Sequence, residues 1–331
     1  MTTEGGGGPA TATPRPDPAA SVPHRPNGHD GRVRVRVSAP TERRNPHSAD
    51  LDLMSTRDVL RVINDADCRV PVAVAAVLDE IVAAVDIAVA ALRAGRRVHY
   101  FGAGTSGRLG VLDAAELPPT FNCPPDWFCA HLAGGPAAMW RAVEDAEDDE
   151  PAGAGEARDC VRAGDLVVGL AASGRTPFVL AALRAAREGG ARTVLLSANP
   201  EARVADEVDV FIGVDTGPEI VTGSTRMKAA TAQKLVLNAF STAVMVRLGR
   251  VYSNLMVDVV ATNAKLRGRM ISILMEATGA TEEVCAAALT EADGELKTAL
   301  VSLVSGAKVA DARAALDRSA RQVRDALALL G

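Results

Sequence analysis

The chain has 331 residues, 48% of them apolar but only 3% aromatic, and a net charge of −5. Such a length holds one large domain, or an α/β domain with a smaller helical companion, with Ala, Val and Leu filling the core. The modestly acidic balance argues against nucleic acid as the main partner. Five irregularly spaced cysteines (Cys68, Cys123, Cys129, Cys160 and Cys285) argue against a disulfide framework. No apolar run reaches 18 residues and no signal-peptide pattern opens the chain, so the expected compartment is the cytoplasm, with no membrane contact.

Residues 1–40 carry four consecutive glycines and seven prolines. A segment of that kind buries too little apolar surface to offset its ordering entropy and is expected to be a disordered tail. The short basic stretch RVRVR, Arg32 to Arg36, lies within it. Ser55-Thr-Arg-Asp58 has the form of a capping box with Asp in place of Glu, and a long amphipathic helix is expected over 72–92, ending at Gly95. Residues 41–95 therefore read as an N-terminal helical segment.

Short apolar runs then recur at 98–101 (VHYF), 127–132 (WFCAHL), 165–170 (DLVVGL), 193–197 (TVLLS) and 208–214 (VDVFIGV). Helical patterns separate the first four. Strands alternating with helices predict an α/β fold, a doubly wound five-stranded parallel sheet, over 96–264. After Gly223 the chain reads as all helical. One helix is expected over 224–248, closed by Gly249, and a small bundle over 265–331 with breaks near Gly279, Gly294 and Gly306. Cys123, Cys129 and His131 are read as buried small residues and an imidazole in or beside a strand rather than as a metal cluster, and no metal is expected.

Two loops carry the first functional signal. The first strand runs into Gly102-Ala-Gly-Thr-Ser-Gly-Arg108 and the third into Ala172-Ser-Gly-Arg-Thr-Pro177. Glycines such as Gly104 and Gly174 let backbone approach a ligand closely. The following helix N-terminus offers free N–H groups and a positive dipole end to an anion, and Thr105, Ser106, Ser173 and Thr176 add hydroxyls. In the flavodoxin-like order 2-1-3-4-5, strands one and three are neighbours at the switch point, where ligands bind. The literal G-x-G-x-x-G of Gly102, Gly104 and Gly107 lacks the acid that would hold a ribose, since the second strand ends in Ala133-Gly-Gly135. No dinucleotide or other cofactor is expected.

Two carboxylates stand where chemistry can use them. Glu116 is followed by Leu117-Pro-Pro119, and the prolines are expected to stop its helix there. Glu147 lies in the acidic run 142–149, which taken alone reads as a solvated face. The strings GAGTSGRLGVLDAAELPPTF, GLAASGRTPFVL, EIVTGSTRMKAATAQKLVLN, NLMVDVVATNAKL and TERRNPHSADLDLMST resemble the N-acetylmuramic acid 6-phosphate etherases of the sugar isomerase (SIS) domain group. The resemblance runs from about residue 41 to the C-terminus.

The resemblance implies an SIS-type domain, a sugar-6-phosphate site built from the two hydroxyl loops, and a catalytic pair, Glu116 and Glu147. It also implies a homodimer with the active site near the subunit interface. Asp145 stands where some relatives have Gly. Within Thr222-Gly-Ser-Thr-Arg-Met-Lys228, Ser224 or Thr225 is a candidate anion donor and Glu219 a candidate partner for a sugar hydroxyl. Lys228 is a candidate ligand contact or, equally, the partner of an acid. The implied reaction releases D-lactate from C3 by elimination and then adds water, with Glu116 as acid and Glu147 as base at C2. The alternatives are a sugar-phosphate-sensing regulator resembling glucokinase regulatory protein, which needs the loops but not both acids, and a sugar-phosphate isomerase.

Overall fold

The computed structural model describes residues 39–260 and 264–331; the tail reading for 1–40 and the basic stretch at 32–36 fall almost wholly outside them. Three 3-10 turns (Pro40–Glu42, Pro46–Ser48 and Leu51–Leu53) lead into α1, Thr56–Asp67. Ser55 caps it as the sequence predicts, its hydroxyl accepting from the Asp58 N–H. The single helix expected over 72–92 is two, α2 (Val70–Ala75) and α3 (Leu78–Arg93). Val77 leaves helical geometry between them, and Asp79 and Glu80 then suit the N-terminal dipole of α3.

The sheet is β1 (Val98–Gly102), β2 (Phe128–Leu132), β3 (Leu166–Leu170), β4 (Arg192–Ser197) and β5 (Val210–Gly213), all parallel, in the order β2-β1-β3-β4-β5. The crossovers carry α4 (Gly104–Phe121), α5 (Glu150–Cys160) and α6 (Pro177–Glu188). Alternation along each strand sorts the core into two faces. Val98, Tyr100, Val168 and Leu196 pack against α3, α4 and α7 (Lys228–Arg247), while Phe101, Val167 and Leu195 pack with α5 and α6.

Three sequence expectations give way here. α4 does not stop at Pro118 and Pro119 but runs a further turn to Phe121, because Leu117 and Phe121 are buried against the sheet and left-handed Asn122 closes the helix onto the Pro118 carbonyl. α7 begins at Lys228, four residues later than expected. A two-residue hairpin, β6 (Val251–Tyr252) with β7 (Leu255–Met256), interrupts the region read as all helical. The bundle beyond it has five helices: α8 (Ala264–Thr278), α9 (Glu282–Glu291), α10 (Leu296–Ser305), α11 (Val309–Arg318) and α12 (Val323–Leu330). Gly279, Gly294 and Gly306 lie at the breaks with positive φ, and the fourth break falls at left-handed Ala320 and Arg321. The bundle has its own core around Met270, Leu274, Leu300 and Leu316, although Ser38–Gly331 forms one compact unit.

Candidate active site at the carboxyl edge of the sheet

Gly102 and Leu170 are register partners on neighbouring strands, so the loops that follow them leave the sheet at the same height, about 4.8 Å apart. The first loop turns sharply into α4. A Cβ on Gly102 would lie 2.7 Å from the Gly107 Cα, and one on Gly107 would lie 2.5 Å from the Gly102 carbonyl oxygen. Only two glycines permit that crossing, and it brings the first N–H groups of α4 to the strand end. Gly104 (φ +55°) is exposed, Thr105 is half-buried and Ser106 is buried.

The second loop is braced from β4. The Ser197 hydroxyl donates to the Ala172 carbonyl at 3.2 Å, and Asn199 Nδ2 donates to the Ser173 carbonyl at 3.2 Å. Gly174, at φ +68°, lies where a side chain would strike Ala202 and Ser197. The Ser173 hydroxyl accepts from the Arg175 N–H at 3.2 Å. Thr176 is the N-cap of α6, yet its side chain makes no capping bond. Ser197 and Asn199 escape sequence reading because they touch the loop only through tertiary contact; no local motif marks them.

Glu116 is exposed on α4, one turn beyond Asp113. Asp113 is buried and accepts from Tyr100 Oη at 2.9 Å and Ser241 Oγ at 3.1 Å, tying α4 to β1 and α7. Burial pushes the Asp113 carboxyl up from its ordinary value, and the two hydroxyl donors pull it back. Glu147 is exposed on the 3-10 turn Ala146–Asp148, whose leading residue, Asp145, has φ +60°. That left-handed conformation is one that glycine adopts without strain. Arg108, in the second turn of α4, reaches across to donate to the Ala138 carbonyl at 2.9 Å and the Arg141 carbonyl at 3.3 Å. The segment bearing Glu147 therefore hangs from the helix bearing Glu116.

The region around Lys228 is engaged internally. Both oxygens of fully buried Glu219 accept from the α7 N-terminus, from Lys228 N at 3.0 Å and Ala229 N at 2.9 Å. Lys228 Nζ donates to the Thr216 carbonyl at 2.6 Å. Glu219 thus caps α7, which is why the helix starts at Lys228 and why Ser224 lies in a turn ahead of it rather than at its end. The Lys228 ammonium thus bonds a backbone carbonyl, and only its backbone N–H meets the Glu219 carboxylate. His131 is bonded to Glu156 and His99, each at 2.9 Å, and Cys129 Sγ reaches the Asp126 carbonyl. Among the described residues, no cluster of three or more His, Cys, Asp or Glu side chains could hold a metal ion. None of the described helices is long and apolar enough to cross a membrane.

Residues 80–187 match the family model of the glucokinase regulatory protein N-terminal SIS domain, and residues 149–243 match that of the SIS domain. The chain is 61% identical over 269 residues to the N-acetylmuramic acid 6-phosphate etherase of Thermobifida fusca, covering 81% of this chain and 88% of that one. It is 50% identical over 302 residues to the etherase of Pectobacterium atrosepticum, covering 91% and 99%, and 53% identical over 291 residues to that of Cutibacterium acnes, covering 87% and 95%. A solved phosphoheptose isomerase from Francisella tularensis aligns over 58% of this chain and all of its own, at 17% identity and a TM-score of 0.48.

Proposed function

The chain belongs to the N-acetylmuramic acid 6-phosphate etherase family, and from that premise we propose how its residues perform the cleavage. The enzyme breaks the lactyl ether of N-acetylmuramic acid 6-phosphate, leaving N-acetylglucosamine 6-phosphate and D-lactate. The observation that supports the site assignment is the shared height of the two hydroxyl loops at Gly102 and Leu170. Gly104, Thr105 and Ser106 on one side, and Ser173, Gly174 and Thr176 on the other, hold the 6-phosphate at the α4 N-terminus. Phosphate contacts remote from C3 supply positioning energy for the reacting carbons.

An ether resists direct displacement. In the ring-opened sugar, C2 adjoins the C1 aldehyde and its proton is acidified. Glu147 removes that proton, the C2–C3 double bond forms, and the C3–O bond breaks as Glu116 protonates the departing lactyl oxygen. Water, deprotonated by Glu116, then adds to C3 while a proton returns to C2. Two carboxylates complete the cycle.

The active form is a homodimer of a cytoplasmic enzyme. Ten residues of helix separate Ser106 from Glu116, a rise of about 15 Å, and the family resemblance implies an active site near the subunit interface; on that basis Glu116 is assigned to the sugar held by a second copy. The test mixes two impaired proteins, Glu116→Gln and the double variant Ser106→Ala/Ser173→Ala, under subunit exchange at limiting substrate, and measures D-lactate against each protein alone. Recovered activity is the expected result. No recovery, with exchange verified by mass, would return Glu116 to its own chain's site. In ¹⁸O-labelled water the label should enter the C3 hydroxyl, and in deuterated water C2 should carry deuterium; label in lactate would sink the elimination.

A further inference from the structure

The C-terminal bundle has its own apolar core, yet one of its lysines is buried for a purpose outside that core. Lys297 on α10 is 2% exposed and donates Nζ to Asp258 Oδ2 at 2.8 Å. The same oxygen lies 3.2 Å from Arg250 Nη1. That Arg250 nitrogen also donates to the Asn122 carbonyl at 3.0 Å, and the guanidinium lies 5.0 Å from the centre of the Trp127 ring. Asn122 is the C-cap of α4, six residues past Glu116, and the Trp127 carbonyl accepts from Val98 at the start of β1. A cavity of about 340 Å³ borders this cluster.

Charges are removed from water at a cost that is offset only where they are paired and hydrogen-bonded. Burial pushes the Lys297 ammonium down from its ordinary value, and Asp258 opposes the shift. Apolar burial alone would dock the bundle, but it has no direction. A charge-assisted bond fixes direction and register. Here the register ends on α4, the helix already pinned at its middle by Asp113 and Ser241.

We infer that Lys297 and Asp258 are positioning residues for catalysis: through Arg250 they fix the C-terminal end of α4 and hence the placement of Glu116. The inference rests on the assignment of Glu116 above. The bundle then acts on the reaction without touching substrate.

The test compares Lys297→Met, which keeps the volume and removes the charge, with Lys297→Arg, for which the neighbouring cavity leaves room. In the full-length enzyme, Lys297→Met should lower kcat about tenfold with KM changed by less than about twofold, as expected for a displaced catalytic group. Lys297→Arg should recover most of kcat. Wild-type kcat in Lys297→Met, with only the melting temperature lowered, would overturn the inference. So would a Lys297→Arg variant as slow as Lys297→Met, since packing rather than charge would then matter. Should Lys297→Met fail to fold, Asp258→Asn carries the same test: reduced kcat at unchanged KM supports the inference and unchanged kcat overturns it. Failure of the parent reading looks different, because Glu116→Gln would then turn over normally and the inference would fall with it.

Discussion

The two candidate acids stand on unlike ground. Glu116 sits on an 18-residue helix locked at three places: the Gly102–Gly107 crossing, the Asp113 bonds to Tyr100 and Ser241, and the Asn122 cap held by Arg250. Glu147 sits in residues 133–149, where two 3-10 turns are the only regular structure and Trp140 is 90% exposed. Left-handed Gly134, Gly135 and Asp145 shape that segment. Arg108 suspends it from α4, and its far end runs into α5, which His131 and Glu156 attach to β2. One acid is built into the scaffold and the other is hung on it. A site that must admit a whole sugar and then close on C2 and C3 can use one fixed and one adjustable group.

The strongest way to break this comparison is to remove each carboxyl in turn. Glu116→Gln and Glu147→Gln should each lower turnover by about 10²–10⁴-fold while leaving the fold intact. Near-normal turnover in either, measured as D-lactate release, would strip that residue of its role.

Acid should distinguish the two supports. His131 Nδ1 lies 2.9 Å from Glu156 Oε1 and its Nε2 lies 2.9 Å from His99 Nδ1, while His99 Nε2 lies 3.3 Å from Asp165 Oδ2. Burial first, then the neighbouring His131, lowers His99 from 6.5 to about 4, against the opposing pull of Asp165. Between those values the unfolded chain binds the proton and the folded one does not, so stability is complete above about pH 6.5 and falls toward pH 4, by up to about 3 kcal/mol. His99→Phe should flatten the dependence of melting temperature on pH across that window. An unchanged slope would mean that other groups carry it.

Smaller effects sharpen the contrast. Ser106→Ala and Ser173→Ala should each weaken binding of the 6-phosphate sugar by about 1–3 kcal/mol and hardly touch the unphosphorylated sugar. Equal losses for both ligands in a titration would remove the phosphate cradle. Asp113→Ala strands the Tyr100 and Ser241 hydroxyls and should cost about 1–3 kcal/mol in denaturant unfolding, with a fall in kcat because α4 loosens. On the suspended side, Asp145→Gly relieves a left-handed residue and should stabilise by no more than about 1 kcal/mol. A clear destabilisation there would show that the Asp145 side chain holds the turn.

Local pattern was enough wherever local chemistry decided the outcome. Five short apolar runs gave the strands, glycines marked three of the four breaks in the bundle, and Ser55 marked the start of α1. The two hydroxyl loops were legible because glycine and serine at a strand end have few other uses. Glu147 was not legible from its surroundings, since an acidic run resembles any solvated face; only its family resemblance singled it out. Two-residue strands have no period to read, which hid the β6–β7 hairpin.

Amino-acid order thus determined the sheet, the crossovers and the residue types at its carboxyl edge, because periodicity and backbone freedom are properties of a few adjacent residues. Tertiary structure alone decided where α4 ends, where α7 begins and what braces the site. Burial of Leu117 and Phe121 carried α4 past two prolines, and a carboxylate nine residues upstream set the start of α7. Ser197, Asn199 and the Lys297–Asp258–Arg250 cluster take their meaning from partners 25 or more residues away or across a junction. The energy of a buried hydrogen bond or ion pair depends on which groups the completed fold brings together, and no window along the chain contains that information.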